Sequence, residues 1–494
     1  MKKTIYYSND LLKYFIGKTS YLIIPLILLV SYSCSTSKRS MNLPGVNSEE
    51  RKIVINKICN LILEEYVFPE VAEKCAELLK EKLSKGKYDN LFHPGDFANE
   101  IVSDLQSISN DKHFRLSVLF GMEDKKRKDN NSQADLQRKI EYNHFLQRGN
   151  FGFIKVQWKS GNIGYLDLRA FISVDIAAEK AISVMKFLSN MDAIIIDLRK
   201  QVKGGAPEMV ALLCSYFFKK PTLLGTTYIR KTNKTYENWT LGKVDGNRMH
   251  DVPLYILTSN HVFSAGESFT YSLQALNRVK VIGEITKGGA HLTKPVKLNE
   301  RFIFYVPFGR AINPITKTNW EGVGIKPDII VDADDAFDVA LKMAQKAAKK
   351  HRKLREERDK KLAKVLLKKF MHSVQQFVKG EKEKSFSSLY KILLEGLQSG
   401  ILTEEMINQK GYELMNKKLV DLAIEMFKFN VEMFPKSYIV FESLGEAYMI
   451  KGEYKPAIEN YNKSLEINPH NKDVIKNFKK VLALALEKNK ENKK

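Results

Sequence analysis

Between residues 151 and 335 the chain alternates short, β-rich apolar runs with helical stretches. The runs are 151–156, 163–168, 193–198, 254–257, 279–282 and 302–306, and helical patterns occupy 173–188 and 208–218 between them. Strands joined through helices pair side by side and are covered by those helices. The block therefore predicts an α/β layer fold of its own.

The sharpest break in the pattern is 258–267, Thr-Ser-Asn-His-Val-Phe-Ser-Ala-Gly-Glu, which follows the apolar run 252–257 and precedes a helical stretch at 268–276. A serine at a tight turn between strand and helix, here Ser264, has its hydroxyl at a helix N-terminus. The positive end of the backbone dipole there favours developing negative charge, which is good nucleophile geometry. The same residues also spell a helix N-cap, with Glu267 three positions on completing a capping box. One serine can do both, and local sequence does not choose.

The rest of the chain divides around this block. Its 494 residues, 44% of them hydrophobic, suit about three folded domains. Residues 1–34 read as an export signal: Lys2, Lys3, Lys13 and Lys18 precede an apolar run at 21–30 that is too short to span a bilayer. The run ends at Ser31-Tyr-Ser-Cys34, which resembles a bacterial lipoprotein signal and implies lipidation of Cys34. The expected location is the bacterial cell envelope, lipid-anchored, on the periplasmic or outer-membrane face. Residues 35–46 read as a polar tether, 47–122 as an N-terminal helical bundle, 123–150 as a charged linker, 151–335 as the core and 336–400 as a basic helical linker. Cys59, Cys75 and Cys214 show neither disulfide nor metal spacing and read as buried free thiols.

Net charge is +23, yet much of the excess is local: between 341 and 372 there are 13 Lys or Arg against 3 Asp or Glu. No nucleic-acid-binding motif accompanies it, so a solvated basic helix is expected and no nucleic acid partner. Over 401–490, Gly411 and Gly445, Ala423 and Ala457, Phe427 and Tyr461, and Pro435 and Pro469 each lie 34 apart. That period is the tetratricopeptide pattern, in which small alanines let paired helices approach and aromatics fill the seam. It predicts an all-α region that binds a protein partner or serves only as packing.

Seven stretches in order point to one family: 104–114 with Asp111-Lys-His113, 150–153, 162–168, Asp197-Leu-Arg199, Phe263-Ser-Ala-Gly-Glu267, 283–291 and Asn319-Trp-Glu-Gly-Val-Gly324. With these the chain resembles the tail-specific, or C-terminal-processing, serine peptidases. It looks most like the branch of the interphotoreceptor retinoid-binding protein and the tricorn protease core. The resemblance implies an α+β and α/β multidomain protein: helical bundle, crotonase-like β/α peptidase core and tetratricopeptide-like tail. The peptide-binding PDZ module has no room between 119 and 151.

The resemblance also assigns roles. Ser264 is the nucleophile, His113 the general base and Glu321 the carboxylate that orients it. Gly204, Gly205 and the amide of Ala265 supply oxyanion donors. His291 is a rival base, while Lys287 stands too early for the lysine that processing peptidases use. Lys112 occupies the place of a serine relay, and Gln201 replaces an asparagine in a loop one residue longer than the family's. Arg310 reads as a surface arginine or a contact for a substrate carboxylate. The expected activity is cleavage of peptide bonds in a peptide or protein substrate, with no metal or organic cofactor. The alternative is a non-catalytic binding protein for hydrophobic ligands or peptides on the same fold.

Overall fold

The computed structural model describes residues 45–119, 132–201 and 205–491. The signal and Cys34 lie outside these residues. Contacts divide the chain into two units, one reaching Arg352 and the other starting at Lys353.

The first unit opens with three helices, α1 (Ser48–Glu65), α2 (Pro69–Ser84) and α3 (Pro94–Ser109), and a short strand β1 (Arg115–Val118). Asn47 caps α1 by accepting the Glu50 N–H at 2.8 Å, and α3 stops at Asn110 in a left-handed conformation, φ 54°. Helix α4 (Ser132–Arg148) occupies most of the stretch expected to be a loop and linker. Lys139, Glu141 and Arg148 are exposed on this helix rather than in a coil.

The core then runs β2 (Phe153–Lys159), β3 (Ile163–Leu168), α5 (Val174–Leu188), β4 (Ala193–Asp197), α6 (Pro207–Ser215), β5 (Leu223–Ile229), β6 (Lys234–Trp239), β7 (Leu254–Thr258), α7 (Ala265–Ala275), β8 (Lys280–Gly283), β9 (His291–Lys297), β10 (Phe302–Ile312) and β11 (Ile329–Ile330). Two sheets result. One has the order β11-β8-β7-β4-β3-β2, parallel except for the β2–β3 hairpin. Its central strands β4 and β7 are buried at every position, as expected for a layer covered on both faces. The other is antiparallel, β1-β10-β5-β6 with β9 also on β10. The sequence pattern missed β5, β6 and β9, whose half-exposed faces interrupt any apolar run.

The N-terminal helices do not form a free-standing bundle. Ile55, Ile58, Ile62 and Phe97 share one core with Phe302, Phe304 and Val306 of the second sheet. Helix α8 (Ala336–Val378) begins in the first unit and, over that part, is no linker. Ala336, Ala340, Ala344 and Ala348 are buried against Ile163, Ile195, Leu257 and Ile282 of the first sheet. Alanine at every fourth position gives the helix a flat face that approaches the strands closely. Arg352 and the buried Asp192 pair at 2.7 Å at the end of this contact.

The second unit holds the rest of α8, then α9 (Lys382–Gln398), α10 (Glu404–Asn416), α11 (Val420–Met433), α12 (Tyr438–Lys451), α13 (Tyr454–Ile467) and α14 (Lys472–Glu491). α10–α11 and α12–α13 are the two repeats. In each, an aromatic of the second helix covers the small residue of the first: a Cβ on Gly411 would meet the Phe427 ring, and one on Gly445 the Tyr461 ring. Among the described residues no helix is long and apolar enough to cross a membrane.

Candidate active site

Three loops leave the carboxyl ends of adjacent parallel strands. β4 leads to Arg199 and Gln201, β7 to Ser264, and β8 to the 286–289 loop. The carboxyl edge of a parallel sheet is where such folds place their ligand crevice. The start of β9 and the turn before β1 supply the imidazoles.

Ser264 stands at the N-cap of α7 with φ 56° and ψ −113°, outside the ordinary regions for a residue with a side chain. Such a backbone costs about 1–3 kcal/mol and persists only where the surroundings impose it. Glu267 imposes it from one side. It is fully buried and accepts from the Ser264 amide (2.8 Å), Thr286 Oγ1 (2.5 Å), the Gly288 amide (2.6 Å) and the Gly289 amide (2.8 Å). Burial pushes its carboxyl upward, and those four donors oppose the shift. The sequence assigned Glu267 only a capping role; it also ties the serine turn to the following loop.

Gln201 imposes the turn from the other side. Its buried carboxamide donates to the Phe263 carbonyl (3.0 Å) and accepts from the Phe263 amide (2.9 Å). A side chain at Gly266 would strike that carboxamide. The glutamine that replaces the family's asparagine is therefore fastened to the residue before the nucleophile. Gly204 lies outside the described residues. Gly205 packs against the Phe171 carbonyl, where a Cβ would collide. Ala265 opens α7, and among the described residues its amide has no backbone acceptor.

The imidazoles are organised by a residue to which the sequence gave no role. Asp111 is buried, accepts the His113 amide through Oδ1 at 2.9 Å, and holds His291 Nδ1 through Oδ2 at 2.6 Å. Burial alone would raise its carboxyl, yet the two histidines hold it well below the usual carboxylate range. A signal was present in Asp-Lys-His, because an aspartate two residues before an acceptor-seeking amide forms an Asx turn. The pairing with His291 spans 180 positions and left no local trace.

His113 is buried, with Nδ1 at 3.6 Å from Asp111 and 3.7 Å from Glu321. Burial pulls its pKa down; the two carboxylates outweigh that and raise it to about 9. Neither ring nitrogen has a hydrogen-bond partner, so both carboxylates stand just beyond hydrogen-bond reach of the ring. Its ring lies on Phe263, centroids 4.6 Å apart, and so beside the residue preceding Ser264. The structure thus brings His113 to the serine turn and Glu321 to His113, but forms no hydrogen bond from either histidine's free nitrogen to Ser264.

Glu321 Oε2 accepts the Ala290 amide at 2.5 Å and lies 3.6 Å from His291 Nδ1. Trp320 Nε1 donates to the Gly289 carbonyl at 2.8 Å. Gly289 is obligatory here: a Cβ would enter the Phe263 ring and come within 2.7 Å of His113 Cε1. Lys287 is exposed, its ammonium 5.5 Å from the Phe263 ring centre. Arg310 lies between the Phe68 and Tyr228 rings, with its Nε buried and unpartnered. Asp111, His291 and Glu321 have ligand atoms within 4.8 Å of one another, a spacing that could suit a cation. The Asp111–His291 hydrogen bond accounts for two of the three without one.

A buried acid–imidazole cluster thus lies beside a strained serine at a helix N-terminus. Residues 162–331 match the model of peptidase family S41. Residues 47–147 match the N-terminal domain of peptidase S41 in eukaryotic IRBP, and 439–471 match a tetratricopeptide repeat. The chain carries a serine peptidase domain of family S41, in the hydrolase class, with that N-terminal domain and a tetratricopeptide repeat.

Similar solved structures include a putative peptidase from Parabacteroides merdae, 16% identical over 60% of this chain and 96% of that one, TM-score 0.42. Others are the photosystem II D1 C-terminal processing protease (12% identical, 57% of this chain, 94% of that one, TM-score 0.36) and tricorn protease (13%, 61%, 37%, TM-score 0.36).

Proposed function

We propose that the protein is a serine endopeptidase acting through an acyl-enzyme at Ser264, outside the cytoplasm and held to the membrane by a lipid on Cys34. His113 takes the Ser264 proton as the hydroxyl oxygen attacks the peptide carbonyl, then delivers it to the leaving amine. Water releases the acyl group by the same route in reverse. Glu321 and Asp111 stabilise the imidazolium, and Asp111 also fixes His291. The Ala265 amide and a glycine amide of the 204–205 pair receive the oxyanion.

The observation that carries this reading is the contact of the His113 ring with Phe263, which joins a buried imidazole to the turn that strains Ser264. The open Ser264–His113 step closes by side-chain rotation when substrate fills the cleft, as is common for unliganded sites.

Ser264→Ala is expected to abolish cleavage of an unfolded protein substrate and labelling by a serine-directed phosphonate. Full cleavage by this variant would overturn the reading. The unpartnered histidine nitrogens favour a second one, a non-catalytic binding protein on the same fold. A wild-type protein that neither cleaves substrate nor takes the phosphonate label would select it.

A further inference from the structure

The second unit carries an acceptor-rich face that its own lysines leave uncovered. Most carboxylates around it are paired: Asp421 with Lys382 and Lys451, Glu413 with Lys410, Glu425 with Lys428, and Glu453 with Lys451, all within 3.0 Å. Glu442 and Glu446, one turn apart on α12, are in no ion pair among the described residues, although the chain has 80 Lys and Arg against 57 Asp and Glu.

Neutral groups from the flanking first helices reach them instead. Tyr412 of α10 donates to Glu446 at 2.9 Å, and Asn471, just before α14, donates to Glu442 at 3.3 Å. Burial raises the Glu442 carboxyl, and the neighbouring charge of Glu446 raises it further. Two like charges one turn apart, with no cation, are unfavourable unless something else compensates them.

An independent feature points the same way. Tyr461 of α13 is wholly buried with its ring against Gly445, the residue before Glu446, and its hydroxyl has no partner. A buried hydroxyl without a partner normally costs stability, and it can accept a hydrogen bond. Asn408, one turn before Tyr412 on α10, likewise has its buried carbonyl oxygen unpartnered. Two carboxylates without a cation, beside a buried hydroxyl without a partner, favour a donor with several N–H groups and a positive charge.

We propose that the face formed by α10, α12 and α14 holds a lysine or arginine side chain of a partner peptide between Glu442 and Glu446. The inference rests on the repeat region being a partner-binding module, and it names the chemistry of that partner. The overall charge of +23 repels a basic peptide at long range, so recognition must come from this local patch.

The test uses the full chain bearing Ser264→Ala, so that bound peptide is not cut. The probes are fluorescein-labelled Gly-Ser dodecapeptides with a central Lys-Lys, Glu-Glu or norleucine pair, read by anisotropy. The lysine peptide is expected to bind at least about tenfold more tightly than the other two, and more weakly as salt rises. Glu442→Gln and Glu446→Gln should each remove about tenfold of that affinity with the melting temperature unchanged or raised. Equal binding of the glutamate peptide would overturn the cation site while leaving a peptide groove. Binding of none of the three would overturn both. Peptidase activity of the wild-type chain, measured separately, is indifferent to either result.

Discussion

Asp111 sits between two imidazoles, and the charge state of the cluster follows from that placement. Asp111 and Glu321 draw His113 up to about 9 against the effect of burial, which favours its imidazolium form at neutral pH. A protonated imidazole cannot accept the Ser264 proton. We therefore predict that kcat/KM rises with pH along a limb near 9 instead of near 6.5. Asp111→Asn should move that limb toward lower pH and destabilise the fold by about 3–5 kcal/mol, because it breaks a buried pair. A pH–rate profile and a denaturant titration read the two effects; an unmoved limb would remove Asp111 from the cluster's electrostatics. The stability sign is fixed by the same shift. A histidine whose folded pKa lies above its unfolded value contributes in full below about pH 6.5, and the contribution is lost as pH rises through about 9.

At the scale of elements, β7, its turn and α7 were legible as a unit, because an apolar run, a serine turn and a helical period follow one another without a gap. The partners of that turn were not. Gln201 reaches Phe263 across 62 positions, and Glu267 reaches the 286–289 loop through backbone amides, which any sequence supplies. Helix α8 is a second case. Its lysines announced a solvated helix, yet its alanine face is as buried as the strands beneath it. Ala344→Leu should overpack that interface and cost about 1–3 kcal/mol, whereas substituting leucine at the exposed Lys346 should cost little. Equal melting temperatures for the two variants would show that the helix does not dock on the sheet.

Across the whole molecule, one chain joins a peptidase domain, a helical repeat and an N-terminal segment that reads as a lipoprotein signal. Anchoring through Cys34 predicts that Cys34→Ala shifts the protein from the membrane to the soluble fraction of lysed cells. A variant that stays with the membrane would leave the basic stretch at 341–372 as the more attractive contact with anionic lipid. The repeat was readable because its 34-residue period is written in matching glycines, alanines and aromatics. The cation site proposed on it was not readable, because nothing in the order of residues says which carboxylates a neighbouring lysine will reach.

Periodicity and residue type by themselves determined the α/β layer, the helical repeat and the serine at a strand-to-helix turn. These are local properties, carried by residues a few positions apart. Only the tertiary structure decided that Asp111 holds His291, that His113 lies on Phe263, and that Glu267 binds four donors. Those contacts arise where two sheets and their loops converge, and their strength comes from removing charged and polar groups from water together. A linear pattern does not record which groups share that burial.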